Sequence, residues 1–202
     1  MKVESPSALP LLRSPTQGKL LSHLLEDPTR QWSVRELARC VGTSEVTALR
    51  EVRRAEQAGY VAVERVGNRR VVTADTRHPL FEPLRTLLVA TFGAPRVIAD
   101  ELADVNGVAE AHIVGSWARA WSGQRCPIRD LDILVVGDGI DRGELYDAAE
   151  RIEQSVSFPV DVTVRSSRQW RDPDTDQDPW LAEVITNPRV PVLGPDDGGD
   201  DA

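Results

Sequence analysis

Two aspartates stand one residue apart at the start of an apolar segment of this chain. They are Asp130 and Asp132 in the stretch RDLDILVVG, where Leu131 and Ile133 occupy the alternating positions. Successive side chains of a strand point to opposite faces, so the two carboxylates should share one face while the apolar residues enter a core. Carboxylates this close repel each other unless protons or a cation neutralise them. The pair therefore predicts a site for Mg²⁺ or Mn²⁺, which prefer oxygen ligands.

A third carboxylate and a Gly-Ser pair extend this chemistry. Asp161 interrupts the valine-rich segment FPVDVTV and would converge on the other two aspartates if the strands are neighbours. Gly115 and Ser116 follow the apolar segment AHIV and precede a short predicted helix. Glycine there lets the backbone approach a phosphate, and the hydroxyl and amides can donate to phosphate oxygens. With Arg119 one turn further on, the pattern favours a site that binds phosphates together with one or two metal ions.

The order of these residues resembles that of the small, minimal nucleotidyltransferases of the DNA polymerase β superfamily. The family pattern is Gly-Ser, then Ala-Arg-Gly, a loop, Ser-Asp-x-Asp, and a later Asp in a strand. The matching residues here are Gly115-Ser116, Ala118-Arg119, Asp130-x-Asp132 and Asp161, within a resemblance that spans roughly residues 81–194. The chain departs from the pattern at Ala120, where the family has glycine, and at Arg129, where the family has serine.

The resemblance implies an enzyme that transfers a nucleotide from an NTP, expected to be ATP, to a hydroxyl acceptor and releases pyrophosphate. It implies that Asp130 and Asp132 hold both Mg²⁺ or Mn²⁺ ions, and that Asp161 completes the ion that activates the acceptor. It assigns the phosphates to the Gly-Ser pair and to Arg119.

Several outcomes stay open within this resemblance. Acceptors in the family include proteins, RNA and small molecules, and members paired with toxin partners extend the expectation to a toxin–antitoxin component. The alternative is a non-catalytic transcriptional regulator whose nucleotidyltransferase fold senses a nucleotide or a protein partner. Ala120 and Arg129 favour that alternative, and the three aspartates argue against it.

The first part of the chain is patterned differently, as three helices and a hairpin. Apolar periodicity predicts a helix over 16–26, a capping box at 33–36 predicts a second over 34–40, and Thr43-Ser44 begin a third that runs to about Ala58. Two β-rich segments, 60–66 and 69–74, flank Gly67-Asn68, the signature of a tight hairpin. The stretch from Ser33 to Val72 resembles the bacterial winged-helix regulators.

This resemblance implies contact with double-stranded DNA, with the third helix in the major groove and the hairpin at phosphates or the minor groove. The predicted contact residues are Ser44, Glu45, Thr47, Ala48, Arg50, Arg53 and Arg54 on the helix, and Arg65, Arg69 and Arg70 on the hairpin. The first 80 residues have a net charge of +4 and the remainder −12, which suits a first module that approaches phosphates. The alternatives are a solvated basic face or a winged helix used only for protein contact.

The elements combine into an α+β protein with two modules. After a linker helix over 79–92, a helix over 95–105 leads to strands and helices that alternate, which predicts a polymerase-β-like domain with a small mixed sheet flanked by helices. The predicted divisions are a flexible lead (1–13), the winged helix (14–78), the linker helix with the nucleotidyltransferase domain (79–194) and a disordered acidic tail (195–202).

Composition narrows the setting of the protein. The sequence has 202 residues and no apolar run long enough for a membrane helix, and its beginning lacks the features of a secretion signal. Cys40 and Cys126 have no metal-type or redox-type spacing, so two reduced thiols are expected. We therefore expect a cytoplasmic protein and, because winged-helix regulators are commonly dimers, a homodimer.

Overall fold

The computed structural model describes residues 12–67, 69–172 and 178–194. The chain forms two compact units that divide after Arg96, with residues 155–157 grouped in the first unit. The acidic tail and all of the flexible lead except residues 12 and 13 lie outside the described residues. The fold class is α+β, as predicted.

The first unit contains three helices in the predicted order, followed by an antiparallel hairpin. The elements are α1 (Pro15–Glu26), α2 (Val34–Cys40), α3 (Glu45–Gln57), β1 (Val61–Val66), β2 (Arg69–Ala74) and α4 (Phe81–Phe92). The capping box at the start of α2 is present, since the Ser33 hydroxyl accepts from the Glu36 amide and the Glu36 carboxylate accepts from the Ser33 amide. Ser44 caps α3 by accepting from the Thr47 amide. These local signals explain why the sequence located the helix boundaries closely.

The hairpin is tied to the helices by a bridge that the sequence did not indicate. Trp32, in the segment between α1 and α2, exchanges two backbone hydrogen bonds with Val72 of β2, at 2.9 and 2.7 Å. Both side chains are fully buried. The hairpin and the three helices thus form one winged helix-turn-helix arrangement with a shared core.

Helix α4 packs on the first unit. Phe81, Leu88 and Phe92 belong to the same buried cluster as Leu20, Leu24 and the other core residues of α1. Phe92 lies against Gly18, where an added Cβ would overlap its ring, so a side chain at this position of α1 would force the Phe92 ring to move. The sequence had grouped this helix with the second module as a linker, and its packing instead joins it to the winged helix.

The second unit is built on a mixed four-stranded sheet in the order β5-β4-β3-β6. Its elements, with α5 starting just before the division, are α5 (Ala94–Leu102), β3 (Val108–Val114), α6 (Gly115–Trp121), β4 (Leu131–Gly137), α7 (Arg142–Ser155), β5 (Val160–Arg165), α8 (Ser167–Arg171), α9 (Pro179–Thr186) and β6 (Val190–Leu193). Strands β3 and β4 are antiparallel, and β4 and β5 are parallel. Helix α8 and strand β6 were not predicted, because five and four residues are too few for a periodic signal.

The two faces of this sheet are covered differently. Leu134 and Val136 of β4 pack with Val114 and with Leu181 and Val184 of α9. The alternating residues Leu131, Ile133 and Val135 are also buried, on the opposite face, as predicted. Asp132, the second residue of β4, lies on the same face of the sheet as Leu134 and Val136.

Candidate functional site

Asp132 and Asp161 lie directly beside each other in the sheet of the second unit. They are register partners on the parallel strands β4 and β5, so their side chains leave the same face of neighbouring strands, which are about 4.8 Å apart. The sequence placed both aspartates in strands but could not show that the strands pair or in which register. A shift of one residue would send one of the two carboxylates to the opposite face.

Gly115 brings the chain closest to this pair. Its φ is +68°, and a Cβ built on it would overlap the Asp132 carboxylate, so glycine is required both for conformation and for space. Because Val114 pairs with Asp132 across β3 and β4, the turn that begins α6 lies directly over the carboxylate. The predicted closeness of the Gly-Ser pair to the aspartates is therefore a property of the sheet register.

Asp130 immediately precedes β4 and contacts the same turn. The Ser116 hydroxyl is 3.4 Å from Asp130 Oδ1, and the Arg129 amide is 3.5 Å from the Ser116 hydroxyl. The Cys126 thiol lies 3.4 Å from the Ser116 carbonyl oxygen, which ties the loop before β4 to α6. Cys40 and Cys126 are both free, as expected.

The electrostatics of the site centre on Asp132. Partial burial raises the pKa of its carboxyl, and the negative charges of Asp130 and Asp161 raise it further, whereas Arg119 acts in the opposite direction. The charges of Asp130, Asp161 and Arg119 therefore all act on the carboxyl of Asp132. An additional positive charge at this position would favour the ionised form of Asp132.

The donor set suits a hard divalent cation in its chemistry, because all three side chains offer carboxylate oxygens. Within the part of the chain that the structure describes, however, no three His, Cys, Asp or Glu side chains lie close enough together to hold a metal ion. Asp132 and Asp161 are adjacent, and Asp130 is turned toward Ser116. The metal site predicted at Asp130, Asp132 and Asp161 therefore stays a prediction.

A pocket of about 220 Å³ adjoins the aspartates and adds residues that sequence reasoning missed. Gly115, Arg119 and Asp132 line one part of it, with Val114. The remainder is lined by Trp180, Glu183, Val184, Asn187 and Pro188, from α9 and the turn after it. Trp180, Glu183, Val184 and Asn187 follow helical spacing, but that face of α9 could have been recognised only as amphipathic, because nothing in its sequence points to the Gly-Ser turn.

In the first unit, one residue that was predicted on the outward face of α3 is buried instead. Ala48, expected to meet base edges, is fully buried, whereas Val46 is 80% exposed. Helix α3 packs its 48, 51, 52 and 55 positions on the core, so residue 48 cannot face outward. The exposed face carries Val46, Leu49, Arg50, Arg53 and Gln57, which line a shallow depression together with Arg54.

A buried glutamate organises the arginines of α3. Glu51 is only 7% exposed, and Arg54 pairs with it, with Arg13 and Arg50 at 3.6 and 3.8 Å. Arg54 is thus oriented by Glu51, while Arg53 lies on the exposed face. Among the other predicted helix contacts, Ser44 and Glu45 are exposed and Thr47 is half-buried beside the cap.

The hairpin presents three exposed arginines close to its turn. Arg65 pairs with Arg70, and Val66 with Arg69, so Arg65, Arg69 and Arg70 lie together at the tip. Arg65 Nε donates to the Gly67 carbonyl at 3.1 Å. Asn68, predicted in the turn, lies outside the described residues.

Comparison with known proteins gives a distant match to the first unit. No family model matches the chain, and no curated protein matches it. A solved structure of a homodimeric winged helix-turn-helix DNA-binding domain from Mycobacterium bovis, a possible ArsR-family transcriptional regulator, is similar at 18% identity. The match covers 45% of this chain and 92% of that domain, with a TM-score of 0.31, so the winged-helix description rests on the topology above. Among the described residues, no helix is long and apolar enough to cross a membrane.

Proposed function

We propose that the protein joins a DNA-binding winged helix to an NTP-dependent nucleotidyltransferase domain. The observation that carries the enzymatic part is the in-register pair Asp132 and Asp161, set against the Gly115 turn and coupled electrostatically to Asp130 and Arg119. A carboxylate pair under a Gly-Ser turn suits chemistry on a phosphorus atom that carries several negative oxygens. The acceptor would be a hydroxyl of a protein, an RNA or a small molecule.

Different residues would bind the phosphates of the NTP and accept the proton of the acceptor. Arg119 and the Ser116 hydroxyl would hold the phosphates of the NTP, with Gly115 allowing the close approach. The acceptor oxygen would form a bond to the α-phosphorus as the bond to the oxygen bridging the α- and β-phosphorus atoms breaks, and pyrophosphate would leave. A carboxylate oxygen of Asp161 would take the proton of the acceptor hydroxyl.

Bound Mg²⁺ or Mn²⁺ would neutralise phosphate charge and lower the pKa of the acceptor hydroxyl. Asp132 and Asp161 would hold it, and Asp130 would join them by turning its carboxylate away from the Ser116 hydroxyl. Their all-oxygen donor set and the raised pKa of Asp132 support this assignment.

The DNA-binding part is supported by the winged helix-turn-helix arrangement and its exposed basic residues. Arg50 and Arg53 on the outer face of α3 would contact base edges or phosphates, and Val46 beside them would suit a thymine methyl group. Arg65, Arg69 and Arg70 at the hairpin tip would contact the backbone. A homodimer would read two half-sites about one helical turn apart.

Transfer is tested by incubating the full chain with each of the four α-labelled NTPs and Mg²⁺ or Mn²⁺, with cell extract as a source of acceptors. Label should appear on a protein, RNA or small molecule with wild type, and the Asp132→Asn and Asp161→Asn variants should lose it. The matched control is Asp147→Asn, an exposed carboxylate on α7. Label transfer that is absent, or equal in wild type and Asp132→Asn, would sink the enzymatic proposal.

A non-catalytic regulator is the second candidate, and two observations favour it. The carboxylates of the described residues form no group of three that could hold a metal ion, and Arg129 adjoins Asp130. In this case a nucleotide would bind beside Arg119 and bias DNA binding by the first unit. The two candidates separate in one experiment, because a sensor would change DNA affinity on adding NTP without releasing pyrophosphate.

A further inference from the structure

Helix α9 contributes an aromatic ring and two polar side chains to the pocket beside the aspartates. Trp180, Glu183 and Asn187 line the same space of about 220 Å³ as Gly115 and Arg119. That volume is below the roughly 300–1,000 Å³ of pockets for drug-sized ligands, so it accommodates only part of a nucleoside triphosphate. The question is which part.

Contacts at the N-terminal end of α9 fix the helix in this position. The Asp178 carboxylate caps α9 by accepting from the Trp180 and Leu181 amides, at 3.0 and 3.2 Å. Arg165 of β5 holds the same carboxylate at 2.8 and 2.7 Å, and its guanidinium lies 4.9 Å from the centre of the Trp180 ring. Because β5 also carries Asp161, the position of α9 is linked to the strand that bears a predicted catalytic residue.

Charge decides the orientation of a nucleotide in this pocket. The proposed function places the phosphates against Arg119 and Ser116, where a bound cation would offset the charge of Asp132, whereas the Glu183 carboxylate on α9 would repel them. A nucleotide whose phosphates contact Arg119 and Ser116 must therefore place its uncharged base or sugar toward α9. Trp180 lines the α9 side of the pocket, with Arg165 over its ring, and aromatic stacking commonly stabilises a bound base.

The polar groups of α9 favour a base edge that carries hydrogen-bond donors. Ionised Glu183 can only accept hydrogen bonds. The Asn187 side-chain nitrogen donates to the Glu183 carbonyl at 2.8 Å, so its side-chain oxygen is a second acceptor. Guanine offers two adjacent donors, N1–H and the N2 amine, which match one carboxylate, whereas adenine offers one amine beside an acceptor nitrogen.

We propose that Trp180, Glu183 and Asn187 form a base-recognition surface that selects guanine nucleotides. This inference rests on the proposed nucleotide-binding function of the second unit and adds its specificity. It replaces the ATP expected from the family resemblance by GTP. Trp180 packs against the base, Glu183 accepts from both guanine donors, and Asn187 lies at the far end of the same helix face.

The test is isothermal titration calorimetry of the full chain in the presence of Mg²⁺. The ligands are the triphosphates of guanosine, inosine and adenosine in which a methylene group replaces the oxygen between the α- and β-phosphorus atoms. Inosine lacks only the N2 amine, and a hydrogen bond to a charged acceptor is typically worth about a tenfold to hundredfold change in affinity. Wild type should therefore bind the guanosine compound at least about tenfold more tightly than either of the others.

Variants separate this inference from the function on which it rests. Glu183→Gln should bring the guanosine-to-inosine affinity ratio close to one, and Trp180→Ala should weaken all three compounds. Glu150→Gln, with the same charge change on the exposed side of α7, should keep the wild-type ratio. Asp132→Asn should alter all three affinities by a common factor.

A guanosine-to-inosine affinity ratio near one in wild type, or a ratio in Glu183→Gln equal to that of wild type, overturns the base-recognition proposal alone. Failure of wild type to bind any of the three overturns the proposed function as well.

Discussion

The two units place their candidate functional residues on the protein in opposite ways. In the first unit, the exposed residues of α3 come from one continuous helix, and the hairpin arginines come from one turn. In the second unit, Gly115, Asp132 and Asp161 come from three segments that meet only because β3, β4 and β5 are neighbours. A local surface of the first kind can be predicted from periodicity, whereas an assembled site of the second kind depends on strand order and register.

The largest expected effect tests whether the assembled site is catalytic. Asp132→Asn should lower nucleotidyl transfer by about 10²-fold or more, because it removes a residue that would hold the metal ion, whose stabilisation of transition-state charge is worth several kcal/mol. The same variant should leave thermal stability equal or raised, because burial and the charges of Asp130 and Asp161 disfavour an ionised carboxylate in the folded state. Transfer rates and thermal unfolding of one preparation check both halves, and a clear loss of stability would contradict the electrostatic account.

The second prediction concerns the close contact between Gly115 and the Asp132 carboxylate. Gly115→Ala should lower the free energy of unfolding by about 3 kcal/mol or more, since left-handed strain of roughly 1–3 kcal/mol adds to overlap with the Asp132 carboxylate. Gly139→Ala is the matched control, because Gly139 has φ +66° but no atom within 4 Å of an added Cβ. Denaturant unfolding should show the smaller loss for the control, and equal losses would remove the steric part of the argument.

The third prediction concerns the core of the first unit, which should be sensitive to acid. Burial lowers the pKa of His23 to about 4, and the positive charges of Arg30 and Lys19 contribute. In the unfolded chain the pKa of histidine is about 6.5, so above that pH neither state binds the proton and the residue does not affect stability. Below pH 6.5 the unfolded chain binds the proton more readily than the folded protein does, which favours unfolding. Stability should therefore fall by up to about 3 kcal/mol as the pH decreases from 6.5 to 4.

His23→Gln is the comparison for this pH effect. Its unfolding free energy, measured over the same pH range, should lack the component that begins near pH 6.5. Parallel pH profiles for wild type and His23→Gln would show that another group causes the acid sensitivity.

The fourth prediction tests whether Arg53, on the exposed face of α3, contacts DNA. Arg53→Ala should weaken binding of double-stranded DNA and reduce the slope of log affinity against log salt by about 1, the effect of losing one phosphate contact. Arg77→Ala serves as the control, because Arg77 is exposed but already paired with Asp75 at 2.9 Å. Fluorescence anisotropy with random-sequence DNA over a salt series measures both slopes. A slope that is unchanged in Arg53→Ala would remove this residue from the proposed interface.

The smallest expected effect tests a purely local signal. Ser33→Ala removes the hydroxyl that caps α2 and should cost about 1 kcal/mol of stability. Thr76→Ala, at an exposed position outside the helices, should change stability by less than about 0.5 kcal/mol. Chemical denaturation distinguishes these values. If the two variants unfold alike, the capping box seen in the sequence does not contribute to the stability of this unit.

The sequence by itself determined the features of this protein that depend on near neighbours. Capping residues, apolar periodicity and the Gly67 turn located α1, α2, α3 and the hairpin within one or two residues, because these signals act within a few positions. The same reasoning failed at Ala48, since the burial of a helix residue depends on what packs against the helix. The family resemblance identified the three aspartates as a group but did not specify their geometry.

Only the tertiary structure decided which distant segments meet. It paired Asp132 with Asp161, placed the Gly115 turn over the carboxylate, and packed α4 on the winged helix. It also brought Trp180 and Glu183 of α9 to the same pocket. Strand order, register and helix docking follow from side-chain packing across the whole sheet, and no short stretch of residues contains that information.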